Sequence, residues 1–413
     1  MSRPVPFRSL AFSFLLLVPA PFFALLCRGH SPSRLETANL PVWERRLPPP
    51  TPPSRFFRLI PMPPGAIQLP ANPWLGPLLG ADENRLLASV EHPGMGDAGA
   101  AGDWLEAACA WGREPAALAA KQDQVAARLL AAQAEDGTFG LRAGEKSWTP
   151  SEAAAQRSCL RGLLAYYALA RQPAALLAAV TLGDRIAAAR ETPDPAWIDP
   201  LTRLSQEADD PRFLLAARRQ AALGDGLRAN DGLGLCTLYE ATGEPAYLQS
   251  ARQAWARGPH SPALTAELLL LTGRPGYAAA LDRLPPAGPA LARAAWTRAP
   301  LGLAVNTTRD STAIVGSLRL DQRTSRAVRA ITVGTAAPRA IRLRVFLPPG
   351  PPARIWINDV PQAPPAPVGG YLVLTRRWRN GDRVEIRSAD KRTHPAAALA
   401  ARRASGDPPE TGE

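Results

Sequence analysis

Five prolines, Pro115, Pro173, Pro211, Pro245 and Pro275, each stand between two apolar stretches of helical period. In "LYEATGEPAYLQSARQ", Gly243 can take the left-handed conformation that closes a helix, and Pro245 is preset for the first turn of the next. The arrangement recurs in "WGREPAAL", "LARQPAAL", "EADDPRFL" and "LLTGRPGYA". The prolines lie 58, 38, 34 and 30 residues apart, irregular but of helical-hairpin size. Hairpins that cannot bury their apolar faces alone must stack. An open solenoid keeps a near-constant period, whereas a closed α/α toroid tolerates uneven loops that build a pocket at one rim. The long loops "EDGTFGLRAGEKSWTPSE" and "ETPDPAWIDP" favour the toroid and set Trp148 and Trp197 at its rim.

After residue 300 the pattern changes to alternation. In "IRLRVFL", Ile341, Leu343, Val345 and Leu347 are expected to face inward and Arg342 and Arg344 outward. Similar short runs, among them "TAIVGSLRL", "ARIWIND" and "RVEIRS", suggest a small antiparallel β-sandwich, and "RNGD" at Arg379–Asp382 signals a hairpin. The fold class is therefore mainly α plus β, a toroid of helical hairpins followed by a sandwich. The expected organisation is a signal peptide or membrane anchor over 1–30 and a Pro-rich linker over 31–65. The toroid follows over 66–296, the sandwich over 300–390 and a disordered tail over 391–413.

Arg3 and Arg8 precede the apolar run "LAFSFLLLVPAPFFALLC", a charged n-region and an h-region that mark an exported chain. The run is also just long enough to stay as a membrane tether. Net charge is +12, concentrated after residue 297, where 19 basic side chains face 9 acidic ones. Only three of the 48 basic residues are Lys, and no nucleic-acid-binding motif accompanies the charge, so no nucleic-acid partner is expected. Cys109, Cys159 and Cys236 sit singly in apolar helical runs and read as buried structural thiols. The four His form no metal spacing, and neither a Gly-x-Ser-x-Gly nor a phosphate-binding loop is present.

The segment "IRLRVFLPPGPPARIWINDVPQ…GYLVLTRRWRNGDRVEI" resembles the β-module of glycoside hydrolase family 127, the β-L-arabinofuranosidase-like proteins. The shared features are a Leu-Arg-Ile-Pro-type strand at Arg342–Pro348 and an Asn turn at Ile357–Asp359. Gly370–Tyr371 and the Trp-x-x-Gly-Asp element at Trp378–Asp382 complete them. "GDWLEAACAWGREPAALAAKQDQVAARLLAAQAEDGTFG" is similar to the family's run from Trp-Leu-Glu to Gln-x-x-Asp-Gly. The resemblance implies an α/α toroid with β-sandwich domains, a carbohydrate ligand, and a zinc ion held by three Cys and a Glu, one Cys being the nucleophile. Those ligands would come from a Glu-x-Cys element and a later Cys-Cys pair. The corresponding stretches here, "RGPHSPALTAE" and "LPPAGPALARAAWTRAP", hold no cysteine. The chain is thus expected to be a short, divergent member without metal or other cofactor.

Carboxylates could still support glycoside chemistry as an acid and a base or nucleophile. Catalytic candidates are Glu106, which matches the family's Trp-Leu-Glu, with Asp103 and Asp231. Glu152, Asp194 and Asp199 also lie at expected helix ends or rim loops. Trp104, Trp148 and Trp197 are the candidate sugar platforms. Three readings follow: a glycan-binding, catalytically degenerate relative, an active glycosidase using a carboxylate pair, or a helical-repeat scaffold for a protein partner. The first two require a closed ring, the third an open concave face.

Overall fold

The computed structural model describes residues 58–63, 66–69, 99–113, 115–140, 148–188, 194–223, 232–258, 260–284, 288–299, 302–325, 328–350, 353–363 and 366–387. The expected leader, most of the expected linker, Asp231 and the expected tail lie outside the described residues.

The helices are α1 (Gly99–Ala110), α2 (Ala116–Ala131), α3 (Pro150–Ala170), α4 (Pro173–Ala188), α5 (Ile198–Ala208) and α6 (Pro211–Leu223). They continue as α7 (Gly232–Thr242), α8 (Pro245–Arg257), α9 (Pro262–Thr272), α10 (Pro275–Arg283) and α11 (Gly288–Ala295). The odd-numbered helices form an inner ring: each packs against the next odd one, and α11 returns to pack on α1. Each even-numbered helix packs on the outside of the inner helix before it. The ring is closed, so the α/α toroid is the architecture and the open groove of a helical-repeat scaffold is not formed. Because an outer helix runs back between successive inner ones, the inner helices run in one direction and their N-termini share a rim.

The turn from inner to outer helix has one recurring solution. A residue in the left-handed region stands two positions before the proline that opens the outer helix: Arg171, Asp209, Gly243 (φ 76°) and Gly273 (φ 64°). Its N–H reaches back to the last helical turn, as Gly273 N does to Leu269 O at 2.7 Å and Arg171 N to Tyr167 O at 2.8 Å. The entry to α3 is closed differently, by a capping box in which Thr149 and Glu152 satisfy each other's backbone N–H.

Glycine also sets how closely the inner helices approach. A Cβ on Gly102 of α1 would lie 2.3 Å from the Ser158 carbonyl oxygen of α3, and one on Gly162 would lie 2.5 Å from the Gly102 oxygen. The two backbones therefore touch, which brings side chains one turn further along within reach of each other.

The strands are β1 (Ile60–Pro61), β2 (Ile67–Gln68), β3 (Trp296–Ala299), β4 (Gly302–Val305), β5 (Ser311–Val315) and β6 (Leu318–Thr324). They continue as β7 (Val328–Thr335), β8 (Arg339–Phe346), β9 (Arg354–Ile357), β10 (Val360–Gln362), β11 (Tyr371–Trp378) and β12 (Arg383–Arg387). They form a five-stranded sheet, β1-β3-β4-β8-β11, and a seven-stranded sheet, β10-β9-β12-β7-β6-β5-β2. Pairing is antiparallel except between β4 and β8, which run parallel. Three expectations change. The segment before the toroid is not all spacer, since β1 and β2 add an edge strand to each sheet and Arg58 N and Leu59 N donate to Leu270 O of α9. The sandwich begins at Trp296, inside the stretch assigned to helices. "RNGD" is a crossover rather than a hairpin, because β11 belongs to one sheet and β12 to the other. Gly381 takes the positive φ that its turn needs, but its N–H donates to Val333 of β7.

Ring and sandwich are joined through polar groups. Asp282 of α10 accepts from Thr307 Oγ1 at 2.6 Å and from Thr308 N at 3.0 Å, and Asn306 Nδ2 donates to the Ala294 carbonyl of α11 at 2.8 Å. Arg329, buried without a carboxylate contact, spends its donors on Gln322 Oε1 and the Thr307 and Phe346 carbonyls. Burial pushes its guanidinium down to about 10.

The tight crossing gives a prediction. Gly162→Ala should lower the unfolding free energy by about 1–3 kcal/mol through overpacking against α1, measured by urea denaturation. Unchanged stability would show that the crossing can loosen without cost.

Candidate functional site

Every inner helix sends a charged side chain toward the middle of the ring. Glu106 comes from α1, Arg161 from α3, Asp199 and Arg203 from α5, Glu240 from α7, Glu267 from α9 and Arg293 from α11. Asp199, only 6% exposed, is the hub. Its Oδ1 accepts from Arg203 Nε at 2.8 Å, one helical turn on, and from the Thr237 hydroxyl of α7 at 2.7 Å. Gly234, one turn before Thr237, permits that contact, since a Cβ there would meet Ile198 Cβ at 2.8 Å. Arg161 Nη2 donates to Glu106 Oε1 at 3.0 Å, and Arg293 Nε lies 3.4 Å from Glu267 Oε2.

Arg161, Arg203 and Arg293 keep 34, 38 and 41% of their side-chain surface accessible. Arg203 is nevertheless surrounded by protein, with the charges of Asp199, Glu106 and Glu267 all acting on it. The Arg203 side chain thus stands among the ring's charges with part of its surface accessible. Four carboxyl groups and three guanidinium groups face this lumen.

The environments of the carboxyls differ. Burial alone would raise Asp199, but Arg203, Arg161 and the Thr237 hydroxyl outweigh it and hold the carboxyl below its usual range. Burial raises Glu106, and Arg161 and Arg203 only partly offset this. Glu240 lies against Glu267, and burial followed by the charge of Glu267 pushes Glu240 well above the carboxylate range. The two carboxyls adjoin, and the proton kept on Glu240 is shared in a hydrogen bond with Glu267.

Of the candidates named from sequence, Glu106 reaches the lumen and Asp103, one turn away, is exposed. Asp199, expected at a helix end or rim loop, stands in the first turn of α5 and belongs to the lumen wall. Glu152 caps α3, and Asp194 caps the short helical turn Pro195–Trp197 while pairing with Arg157 at 2.6 Å. Trp104 is not a sugar platform: its ring is buried in the helix packing with the Lys121 ammonium above it. Trp197 is likewise 5% exposed and lies beneath Trp148, ring centroids 6.0 Å apart, with Arg157 over it. Trp148 alone of the three is half-buried, just before the N-terminus of α3, and its indole Nε1 has no hydrogen-bond partner. His260 stacks on Trp255 at 4.1 Å.

Glu240 and Glu267 were missed from sequence, as were Arg161, Arg203 and Arg293. A signal existed, since Glu267 is the one charge in "ALTAELLLLT", and a lone carboxylate in a leucine run is rarely buried without a task.

No protein-family model and no curated protein matches the sequence. Solved structures do. A glycoside hydrolase superposes with a TM-score of 0.61 over 81% of this chain and 78% of its own, at 14% identity. The GH127 β-arabinofuranosidase BT3674 gives 0.63 over 80% of each chain, also at 14% identity. The fold is that of the GH127 enzymes. Ara127N-Se, a GH127 β-L-arabinofuranosidase from Geobacillus stearothermophilus T6, gives 0.54 at 14% identity, covering 76% of this chain and 75% of its own.

The zinc site that the GH127 resemblance implies does not fit these residues. Cys236 is the thiol near the lumen carboxyls, and burial with the charges of Glu267 and Glu240 holds it well above the usual thiol range. With no cation beside it to outweigh burial and the acids, such a thiol is a poor nucleophile. Cys109, pushed up to about 12 by burial, is no better. Among the described residues no three His, Cys, Asp or Glu groups could hold a metal ion.

The raised Glu240 carboxyl sets a pH dependence. Above about pH 4.5 the unfolded chain loses this proton while the folded chain keeps it, so stability falls as pH rises toward the folded value. Glu240→Gln removes the effect. Its Tm relative to wild type should rise steadily from about pH 5 to pH 8. Parallel Tm curves would contradict the assignment.

Proposed function

We propose that this is an exported carbohydrate-binding protein on a glycosidase fold, holding an arabinofuranose-type glycan at the lumen without cleaving it. The observation that carries the reading is the engagement of the lumen carboxyls. Asp199 is held by Arg203 and Thr237, Glu106 by Arg161, and Glu267 by Arg293, while Glu240 leans on Glu267. A glycosidase instead needs two carboxyls facing each other at about 5–10 Å across the bound sugar. Trp148, packed against Trp197 with Arg185 over its ring, is the one candidate platform left partly exposed and supports the binding role. The sugar class is taken from the GH127 arabinofuranosidases that share the fold, and export from the Arg3, Arg8 and apolar leader pattern.

One observation favours a second reading, an active glycosidase. Glu240 is held toward its protonated form and Asp199 toward its ionised form, the division of labour that acid–base catalysis uses.

Nitrophenyl arabinofuranosides separate the two. The binding reading predicts saturable binding by calorimetry, hydrolysis by wild type no faster than by Glu240→Gln, and binding weakened about three- to tenfold by Trp148→Ala. Turnover that disappears in Glu240→Gln would establish the second reading.

A further inference from the structure

The five-stranded sheet carries Arg298, Arg339, Arg342, Arg344, Arg376 and Arg377, and no Asp or Glu. Ile341 and Leu343 of β8 point into the sandwich, where they line a small apolar void with Leu318, Leu320 and Val333 of the other sheet. Alternation therefore turns Arg342 and Arg344 to the outer face. The register sets Thr375 of β11 opposite Arg342 and Arg377 opposite Ala340, so Arg377 is the diagonal neighbour of Arg342. Three guanidinium groups thus share one face on backbone positions about 7 Å apart. None of the three has a carboxylate partner among the described residues. Arg344 lies over the Tyr371 ring at 4.7 Å, and Arg342 Nε has no hydrogen-bond partner. Ala340, Thr375 and Arg377 are exposed, which leaves this end of the face open, whereas the Phe346 and Tyr371 end is buried.

The other sheet compensates its own arginines. Arg319 pairs with Asp321 at 2.7 Å, and Arg383 and Arg387 both pair with Glu385 at 2.7 Å. Like charges left side by side on a sheet destabilise it, so the uncompensated face is complementary to an anionic surface outside the protein. The five-stranded sheet is also the first that the chain joins. Its edge strand β1 follows the Pro-rich segment and the apolar run that is long enough to stay as a membrane tether.

We infer that the outer face of the five-stranded sheet docks on an anionic lipid surface, with Arg342, Arg344 and Arg377 taking the lipid phosphates. The inference is independent of the carbohydrate reading and takes the apolar leader as an anchor. One apolar anchor and one basic patch are the two signals that stable membrane attachment needs. A sheet face presents its guanidinium groups in one layer, as a planar array of headgroups requires, and a guanidinium matches phosphate oxygens in pairs. Each basic side chain held at such a surface strengthens association about fivefold.

The test places the full chain in phosphatidylcholine vesicles made with and without phosphatidylglycerol. A fluorophore on Thr375→Cys, in a Cys27→Ser background whose other thiols are buried, reports contact with a quencher on the lipid headgroups. Quenching is expected in the anionic vesicles, absent in the neutral ones and lost as salt rises. Replacing Arg342, Arg344 and Arg377 together by Gln should lower the docked fraction about a hundredfold. The same change of charge on the other sheet, Arg319, Arg323 and Arg354 to Gln, should leave docking in place. Equal quenching in both lipids, or equal losses in both triple variants, would overturn the proposal. Should the first triple variant fail to fold, Arg377→Gln alone, at an exposed position, is expected to weaken docking about fivefold. Protein that leaves neutral vesicles but sediments with anionic ones would remove the anchor and keep the face. Sedimentation with neither would overturn both.

Discussion

A carboxylate enclosed by a ring of helices must be neutralised from neighbouring helices, and Asp199 shows how far that requirement reaches. Its compensation comes from its own helix through Arg203, from α7 through Thr237, and at longer range from α3 through Arg161. Arg161 is in turn tied to Glu106 of α1. An uncompensated buried charge costs about 3–5 kcal/mol when one partner is removed, so the rotation and register of these inner helices are constrained together. The glycines at the crossings make this possible, because Gly102, Gly162 and Gly234 let backbones approach closely enough for short side chains to meet.

The same network limits the chemistry. A ring that closes on thiolates could hold a metal. This one closes on guanidinium and carboxyl groups, with Cys236 kept as a thiol by burial and by the acids beside it. The fold of a GH127 enzyme therefore carries a lumen whose charges are mostly committed to each other. Asp199 Oδ2, Arg161 Nε and the Trp148 indole N–H are buried without a hydrogen-bond partner.

Much of the fold was legible because it is written in local chemistry. The Gly/Pro hinges gave the hairpins, and the αL residue two positions before proline at Arg171, Asp209, Gly243 and Gly273 is the physical form of that signal. Alternation gave the sandwich but not its pairing. "RNGD" marks a tight turn whichever strands it joins, and whether β11 and β12 share a sheet depends on residues far along the chain, such as Asn358, whose Nδ2 donates to Asp382 Oδ1. The short edge strands β1 and β2 carry too few residues for any period to show.

Site residues were legible only in part. Glu106 could be found from its family-like context, but the rim tryptophans misled, because an aromatic in a polar loop can turn inward, as Trp197 does beneath Trp148. Convergence across the ring is a tertiary property, and spacing along the chain does not encode which of many carboxylates meet.

The measurement that tests the account most directly is a double-mutant cycle on unfolding free energy with Asp199→Leu and Arg203→Met. A ring locked by mutual charge compensation predicts that each single change costs about 3–5 kcal/mol and that the double mutant is no less stable than the worse single. Strictly additive losses, or single losses below about 1 kcal/mol, would contradict it.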